Sequence, residues 1–391
     1  MKKIVIVSLL ALPGLVFAQK EVKPNINKAL KALKDGKYDE AKSTIDAATT
    51  YEKTMNDGKT WFYRGLIYGA MDTTSTYKAT EDLTSVSAAS FKKAEEITGG
   101  KSSSLFIQDA AGGMVLYDNV KSSISQRYLI NGDKHFAKEE FKEALVQFEK
   151  GITFTGGDTV FYQYAGYAAY NAEDRKKASQ YLRKYTEVGG RQAQAMTMAP
   201  LLTYEDKDFE QALIDARAVL KVTPTQKDMK IVELNSLIEL KRYDEASKII
   251  EAKLALNPND AQENYLLGML NNELGKEVEA KKNFENALKA DPKHFESALA
   301  LARFSYKDAK VIKDQMNALG ISAADKKKRF ELDAVYVEKL KLALPYWERC
   351  EKINPSDQSV LDALYQIYSD LDNQTEIKRI EKRYKELGLD N

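Results

Sequence analysis

The sequence runs to 391 residues, with 59 Lys+Arg against 58 Asp+Glu, 43% hydrophobic residues, 8 Pro, 2 His and 1 Cys. A net charge of +1 supplies no field to draw a phosphate backbone or an anionic membrane, which disfavours general nucleic-acid binding, and one cysteine excludes a disulfide framework and a cysteine-rich zinc site. The hydrophobic fraction and the lack of Pro/Gly-rich or single-sign tracts argue for a folded chain.

At the N-terminus, Met1-Lys2-Lys3 precede a nearly unbroken apolar run from Ile4 to Phe17 that ends in Val16-Phe17-Ala18, the order of a secretory signal with its small-residue cleavage site. The run is short of the roughly 20 residues a spanning helix needs, and Pro13-Gly14 interrupts it. We expect residues 1–18 to be cleaved, leaving 19–391 as an exported chain with no transmembrane span. No cysteine near the cut offers a lipid anchor, loss of Lys2 and Lys3 reverses the sign of the small net charge, and the near-absence of cysteine suits an oxidising compartment.

Along the rest of the chain small and aromatic residues recur at fixed offsets. Gly36 to Ala41, with Ile45 and Ala48, is the first and weakest unit. Trp61 to Tyr68, followed by Phe91 and Ala94, is the second, with about ten extra residues between its two helices. Gly100–Ile124 departs from the pattern, and 101–124 is read as an extra helical element. Asn131-Gly132 with Phe141, Ala144 and Phe148 forms the next unit, then Tyr162 and Ala165-Gly166 with Ala178 and Leu182. These units stop at paired glycines, Gly99-Gly100, Gly156-Gly157 and Gly189-Gly190, while the later ones stop at Pro224, Pro258 and Pro292, which lie 34 apart. Glycine ends a helix by turning left-handed and proline by lacking a donor, so two chemistries serve one boundary. Counted back from each proline, a small residue falls 12 earlier (Ala212, Ala246, Ala280) and an apolar one 8 earlier (Ala216, Ile250, Phe284). Leu301-Ala302 opens a unit that closes with Ala343, Trp347, Cys350 and Pro355. Its insertion, about 308–340, starts with Ser322-x-x-Asp325, a capping-box-like signal, and should lengthen a helix. A polar final pair, about 358–388, reads as the cap that meets water.

Tyr265-Leu266-Leu267-Gly268 followed by Ala280, Phe284, Ala287 and Pro292 resembles the tetratricopeptide repeat, with its aromatic, Leu-Gly, Ala, Phe and Pro on a 34-residue period. The expected fold is all-α, a right-handed superhelical solenoid of about nine such helix pairs forming a single domain over 19–391. The resemblance implies that positions 2, 5, 9 and 12 of each first helix line a concave groove for a partner. Carried over, these are Phe62, Leu66, Asp133, Phe136, Gln163, Tyr167, Tyr170, Leu201, Tyr204, Asn235, Tyr265, Met269, Asn272, Arg303 and Tyr306, with Ile231 beside them. The carboxylate clamp of some family members is not expected, because Ile231, Leu266 and Glu296 stand where its parts would be and only Asn235 matches. Pro200 falls where a first helix carries its small residue, so a kink or a late start is expected there.

The remaining motifs read as structure. Gly99-Gly100-Lys101-Ser102 ends like a phosphate-binding loop, but Glu95 stands where the first glycine must be. His135 and His294 have no second histidine or cysteine at ligand spacing, Cys350 holds a small-packer position, and Lys326 to Arg329 begin a helix face that continues with Glu331 and Asp333. No cofactor and no metal are expected. The sequence supports a non-enzymatic periplasmic scaffold or adaptor of a Gram-negative bacterium, holding a peptide segment or protein domain in an envelope or outer-membrane assembly. A chaperone for exported chains and a helical-repeat enzyme acting on cell-wall glycan are the alternatives, with a glycan-binding surface protein behind them.

Overall fold

The structure, a computed structural model, describes residues 23–77 and 80–389; the signal-like segment 1–18 lies outside them. Among the described residues eighteen α-helices follow one another as nine pairs: α1 (Ile26–Lys34) with α2 (Tyr38–Thr50), α3 (Gly58–Asp72) with α4 (Leu83–Ile97), α5 (Tyr117–Phe136) with α6 (Phe141–Thr155), α7 (Thr159–Asn171) with α8 (Arg175–Glu187), α9 (Ala193–Glu205) with α10 (Phe209–Val222), α11 (Lys227–Glu239) with α12 (Tyr243–Leu256), α13 (Ala261–Glu273) with α14 (Glu277–Ala290), α15 (Phe295–Asn317) with α16 (Ala323–Ile353), and α17 (Gln358–Asp370) with α18 (Gln374–Leu387). The chain is thus an all-α helical-repeat protein of tetratricopeptide-like pairs. Its described residues divide into two compact units, the first made of those up to 206 with 218–224 and the second of 207–217 with those from 225 to 389, so the division falls within α10.

Local chemistry sets the helix starts. Side-chain oxygens of Asn25, Asp57, Asp158, Asp260, Ser322 and Asp357 accept the orphan amides at the first turns of α1, α3, α7, α13, α16 and α17. The turn inside each central pair carries one residue in the left-handed region, at Glu139, Glu173, Lys207, Lys241 and Gly275, each 34 residues after the last. Four of the five are side-chain-bearing residues held where glycine is favoured, a cost of roughly 1 kcal/mol each that the packing of the pair must offset.

Within a pair the two helices close on one interlock. A Cβ added at Gly132 would meet the ring of Phe148 at 2.3 Å, and one at Gly268 the ring of Phe284 at 2.5 Å. Gly65 against Phe91 and Gly166 against Leu182 repeat the arrangement. Each glycine lets a large second-helix side chain lie on the first helix's backbone, where it is excluded from water.

In the first unit, 101–124 is not an extra helix. After a short 3-10 turn, β1 (Phe106–Gln108) and β2 (Met114–Leu116) form an antiparallel hairpin, and residues from Tyr117 onward already belong to α5. Asp109 makes the turn, its Oδ1 accepting the amides of Ala111 (2.9 Å) and Gly113 (2.7 Å), with Gly112 at φ 84°. Ile107 and Val115 point inward and, with Leu30, Leu33, Leu66, Ala70, Val120 and Ile124, line a cavity of about 410 Å³ among α1, α3 and α5. α9 begins at Ala193 and runs through Pro200 without a late start.

Tyrosine, carboxylate and a basic residue clasp neighbouring helices in both units. In the first, Asp46 of α2 accepts from Tyr68 (2.7 Å) and Arg64 (2.8 Å) of α3, Asp72 of α3 from Tyr128 and Lys150 (both 2.6 Å), Glu95 of α4 from Tyr117 (2.8 Å) and Lys121 (3.1 Å), and Glu149 of α6 from Tyr181 (2.6 Å) and Lys177 (2.9 Å). In the second, Asp370 of α17 accepts from Tyr336 of α16 (2.5 Å) and Lys313 of α15 (3.0 Å). Burial works to raise the carboxyls of Asp46, Glu95 and Asp370, but these bonds outweigh it and hold all three below the usual range. The insert at 308–340 lengthens α15 and α16, which supply Lys313 and Tyr336 to the last clasp.

Candidate functional site

The second unit contains a cavity of about 950 Å³ built by three successive first helices. α13 contributes Tyr265, Met269 and Asn272; α15 contributes Glu296, Leu299, Arg303 and Tyr306; α17 contributes Asp362 and Gln366. Tyr265, Met269 and Asn272 lie 34 residues before Leu299, Arg303 and Tyr306, and after the insert in the α15–α16 pair Asp362 and Gln366 return to the helix positions of Leu299 and Arg303, so equivalent helix faces reach equivalent places. Phe284 of α14 and Trp347 of α16 reach the cavity from the second helices, Phe284 with its ring centroid 6.0 Å from that of Phe304 and Trp347 with its own 6.3 Å from that of Tyr306. The volume lies in the range of ligand-binding clefts, about 300–1,000 Å³.

The walls combine rigid aromatic area with charges at the rim. His294 caps α15, its Nδ1 accepting from Ser297, and lies against Tyr265 with 5.4 Å between centroids. Burial raises the Tyr265 phenol above its ordinary value. Lys307 is paired with Glu277, and Asp362 accepts from Tyr384 at 2.8 Å. Arg303 and Lys310 have no carboxylate within 4 Å among the described residues. Such a site can hold an apolar segment against the aromatic walls and fix it with an acidic group at α15.

Of the residues expected from the sequence, Tyr265, Met269, Asn272, Arg303 and Tyr306 are brought together here. Asn235 is half-buried and Ile231 exposed on α11, outside this cavity. In the first unit Phe62 cannot face a partner: it is fully buried, its ring 5.4 Å from Tyr117 and 6.1 Å from Phe91, because the chain after the hairpin lays Tyr117 over it. Phe136 packs edge-on against Phe141 across the turn of its own pair, at 5.1 Å, and is half-buried. Leu66 lines the hairpin-covered cavity. Gln163 and Tyr167 both bond to the Gln192 side chain at the start of α9, Tyr167 at 3.1 Å. Asp133, Tyr170 and Leu201 are exposed, and Tyr204 is half-buried.

Glu296, Leu299, Asp362 and Gln366 were not among the expected site residues. Counting from Pro355 on the same frame reaches Asp362 and Gln366, so a signal for them existed.

His135 pairs with Glu140 at 2.6 Å. Cys350 is buried, and burial pushes its thiol up to about 11. Among the described residues no group of three His, Cys, Asp or Glu could hold a metal ion, and no helix is long and apolar enough to cross a membrane.

No family model matches the chain, and no curated protein matches it. Solved structures are similar to parts of it. MamA is 17% identical over 43% of this chain and 92% of its own, with a TM-score of 0.32. YrrB, described as a TPR protein with an unusual peptide-binding site, is 17% identical over 44% and 90%, with a TM-score of 0.33. MamA of Desulfovibrio magneticus, from residue 41 to its end, is 17% identical over 47% and 95%, with a TM-score of 0.31. Likeness at this level carries nothing about function; the repeat character rests on the periodic turns and interlocked pairs of the chain itself.

Proposed function

We propose that this protein is a non-enzymatic interaction scaffold that seats a segment of a partner protein in the cavity of α13, α15 and α17. The observation that carries the proposal is the gathering of positions 5 and 9 from three successive first helices around one aromatic-walled space: Tyr265 and Met269, Leu299 and Arg303, Asp362 and Gln366. The signal-like residues 1–18 support export, and with it a place in the periplasm within a cell-envelope assembly.

The test is affinity capture by residues 19–391 from envelope extract, in parallel with Met269→Glu/Arg303→Glu. Both side chains are exposed, so the variant is expected to keep the fold. A defined partner held by the native chain and lost with the variant supports the scaffold. Equal capture by both overturns it. Retention of many denatured exported chains favours a chaperone instead, and glycan cleavage that fails in an Asp362→Asn variant favours an enzyme.

A further inference from the structure

A second site lies in the first unit, along the outer edge of the hairpin. In an antiparallel pair only alternate residues exchange backbone bonds. Asp109 N–H bonds to Gly113 O and Tyr117 N–H to Leu105 O, both at 2.9 Å, so with Ile107 opposite Val115 these are the bonded pairs. The backbone groups of Phe106 and Gln108 therefore face away from β2. Among the described residues only the Gln108 carbonyl is engaged, by Lys34 Nζ at 3.0 Å.

That edge borders a cavity of about 550 Å³ lined by Asn27, Leu30, Lys31 and Lys34 of α1, Lys59 and Tyr63 of α3, and Phe106 and Gln108 of β1. Three ammonium groups border it and no carboxylate does. None of the three is within 4 Å of a carboxylate among the described residues, whereas their neighbour Lys28 is paired with Glu40 at 3.0 Å. Lys59 lies over the Tyr63 ring, 5.2 Å from its centroid, and Phe106 is 37% exposed beside it. The space is many times the roughly 30 Å³ share of one water, and the charges come from two helices, Lys31 and Lys34 one turn apart on α1 and Lys59 on α3. Spread positive charge, a free strand edge and aromatic area call for an occupant that is extended, repeatedly anionic and partly apolar.

We propose that the free edge of β1 takes an acidic, extended segment of a partner polypeptide as a third strand. Its backbone pairs with Phe106 N–H and C=O and with Gln108 N–H, and alternate side chains point to opposite faces. Carboxylates then meet Lys31, Lys34 and Lys59, and apolar side chains lie beside Phe106. This site is separate from the cavity of α13, α15 and α17, and its occupation does not depend on it.

The probe is a fluorescein-labelled Glu-Phe-Glu-Phe-Glu peptide, followed by anisotropy on the 19–391 chain at low and at physiological salt. Binding is expected to weaken with salt, to fall about tenfold or more in Lys31→Glu/Lys59→Glu, and to persist in Met269→Glu/Arg303→Glu. Hydrogen exchange at Phe106 and Gln108 is expected to slow on binding, while Ile107, already bonded to β2, changes little. Equal binding of a Gln-Phe-Gln-Phe-Gln peptide, unaltered binding by the lysine variant, or unchanged exchange at Phe106 overturns the proposal. Full competition by millimolar inorganic phosphate also overturns it, in favour of a single-anion site.

Discussion

Replacing Gly268 by Ala sets two terms of opposite sign against each other. In an exposed helix interior the change stabilises by about 1 kcal/mol, since Ala loses less backbone entropy than Gly. Here the new Cβ would stand 2.5 Å from Cε1 and 2.7 Å from Cδ1 of Phe284. That ring is fully buried and wedged between Tyr265 and Phe304, with centroids 5.9 and 6.0 Å away, so it cannot swing into water. Overpacking of this kind costs about 1–3 kcal/mol, and an overlap near 1 Å against a rigid ring belongs to the upper part of that range. We expect a net loss of about 1–2 kcal/mol, read as a urea midpoint lower by about 0.5–1 M when unfolding is followed by far-UV circular dichroism. Phe284→Ala alone should cost about 3–5 kcal/mol, and adding Gly268→Ala to that background should reverse sign and stabilise by about 1 kcal/mol. If Gly268→Ala raises the midpoint in the native background, the interlock does not govern the pair and the packing account of the repeats fails.

Other perturbations test separate parts of the structure. Tyr336→Phe removes the phenol from Asp370 but leaves Lys313 and Gln366 in place; thermal denaturation should show a loss of about 1–2 kcal/mol, and an unchanged midpoint would show that the clasp contributes nothing. Asp46, Glu95 and Asp370 all titrate below their ordinary values, so the unfolded chain binds protons first as pH falls. Their contribution is complete above about pH 4.5 and is lost as pH falls through the folded values; an acid titration should show stability declining below about pH 4, less steeply in Asp46→Asn/Asp370→Asn. The Cys350 thiol, buried and pushed up to about 11, should react with an aromatic disulfide reagent at pH 8 only as fast as the second unit opens, and immediate labelling would refute its burial. Glu173→Gly relieves a left-handed residue at φ 63° and should stabilise by about 0.5–1 kcal/mol in a urea titration; a loss of similar size would mean that the Glu173 side chain itself holds the turn.

How far the sequence could be read follows from what each residue signals. Tyr265, Met269 and Arg303 are placed by counting, because Pro258 and Pro292 fix the frame and the helical period does the rest. Asp362 and Gln366 obey the same count from Pro355, but their pair has Tyr365 where others have glycine, so the landmark that marks a groove helix is missing. The hairpin is hidden by length: three residues per strand give too little alternation to separate from helix, and only Asp109 with Gly112-Gly113 marks the turn. Phe62 sits at a groove position by frame and in the core by contact, since no repeat count registers that an insertion returns Tyr117 onto it. Glu139, Glu173, Lys207 and Lys241 turn left-handed without turn chemistry of their own; only the 34-residue spacing from Gly275 betrays them.

The most direct measurement of the central claim is photo-crosslinking from two positions of the second unit in the cells that make the protein. A benzophenone side chain replaces either Met269, on the cavity wall, or Val278, which is 80% exposed on the second helix α14. The scaffold reading predicts one defined adduct from position 269 that disappears in Arg303→Glu, and none from position 278. An adduct from 278 alone, or one from 269 that survives the Arg303 change unaltered, would contradict it.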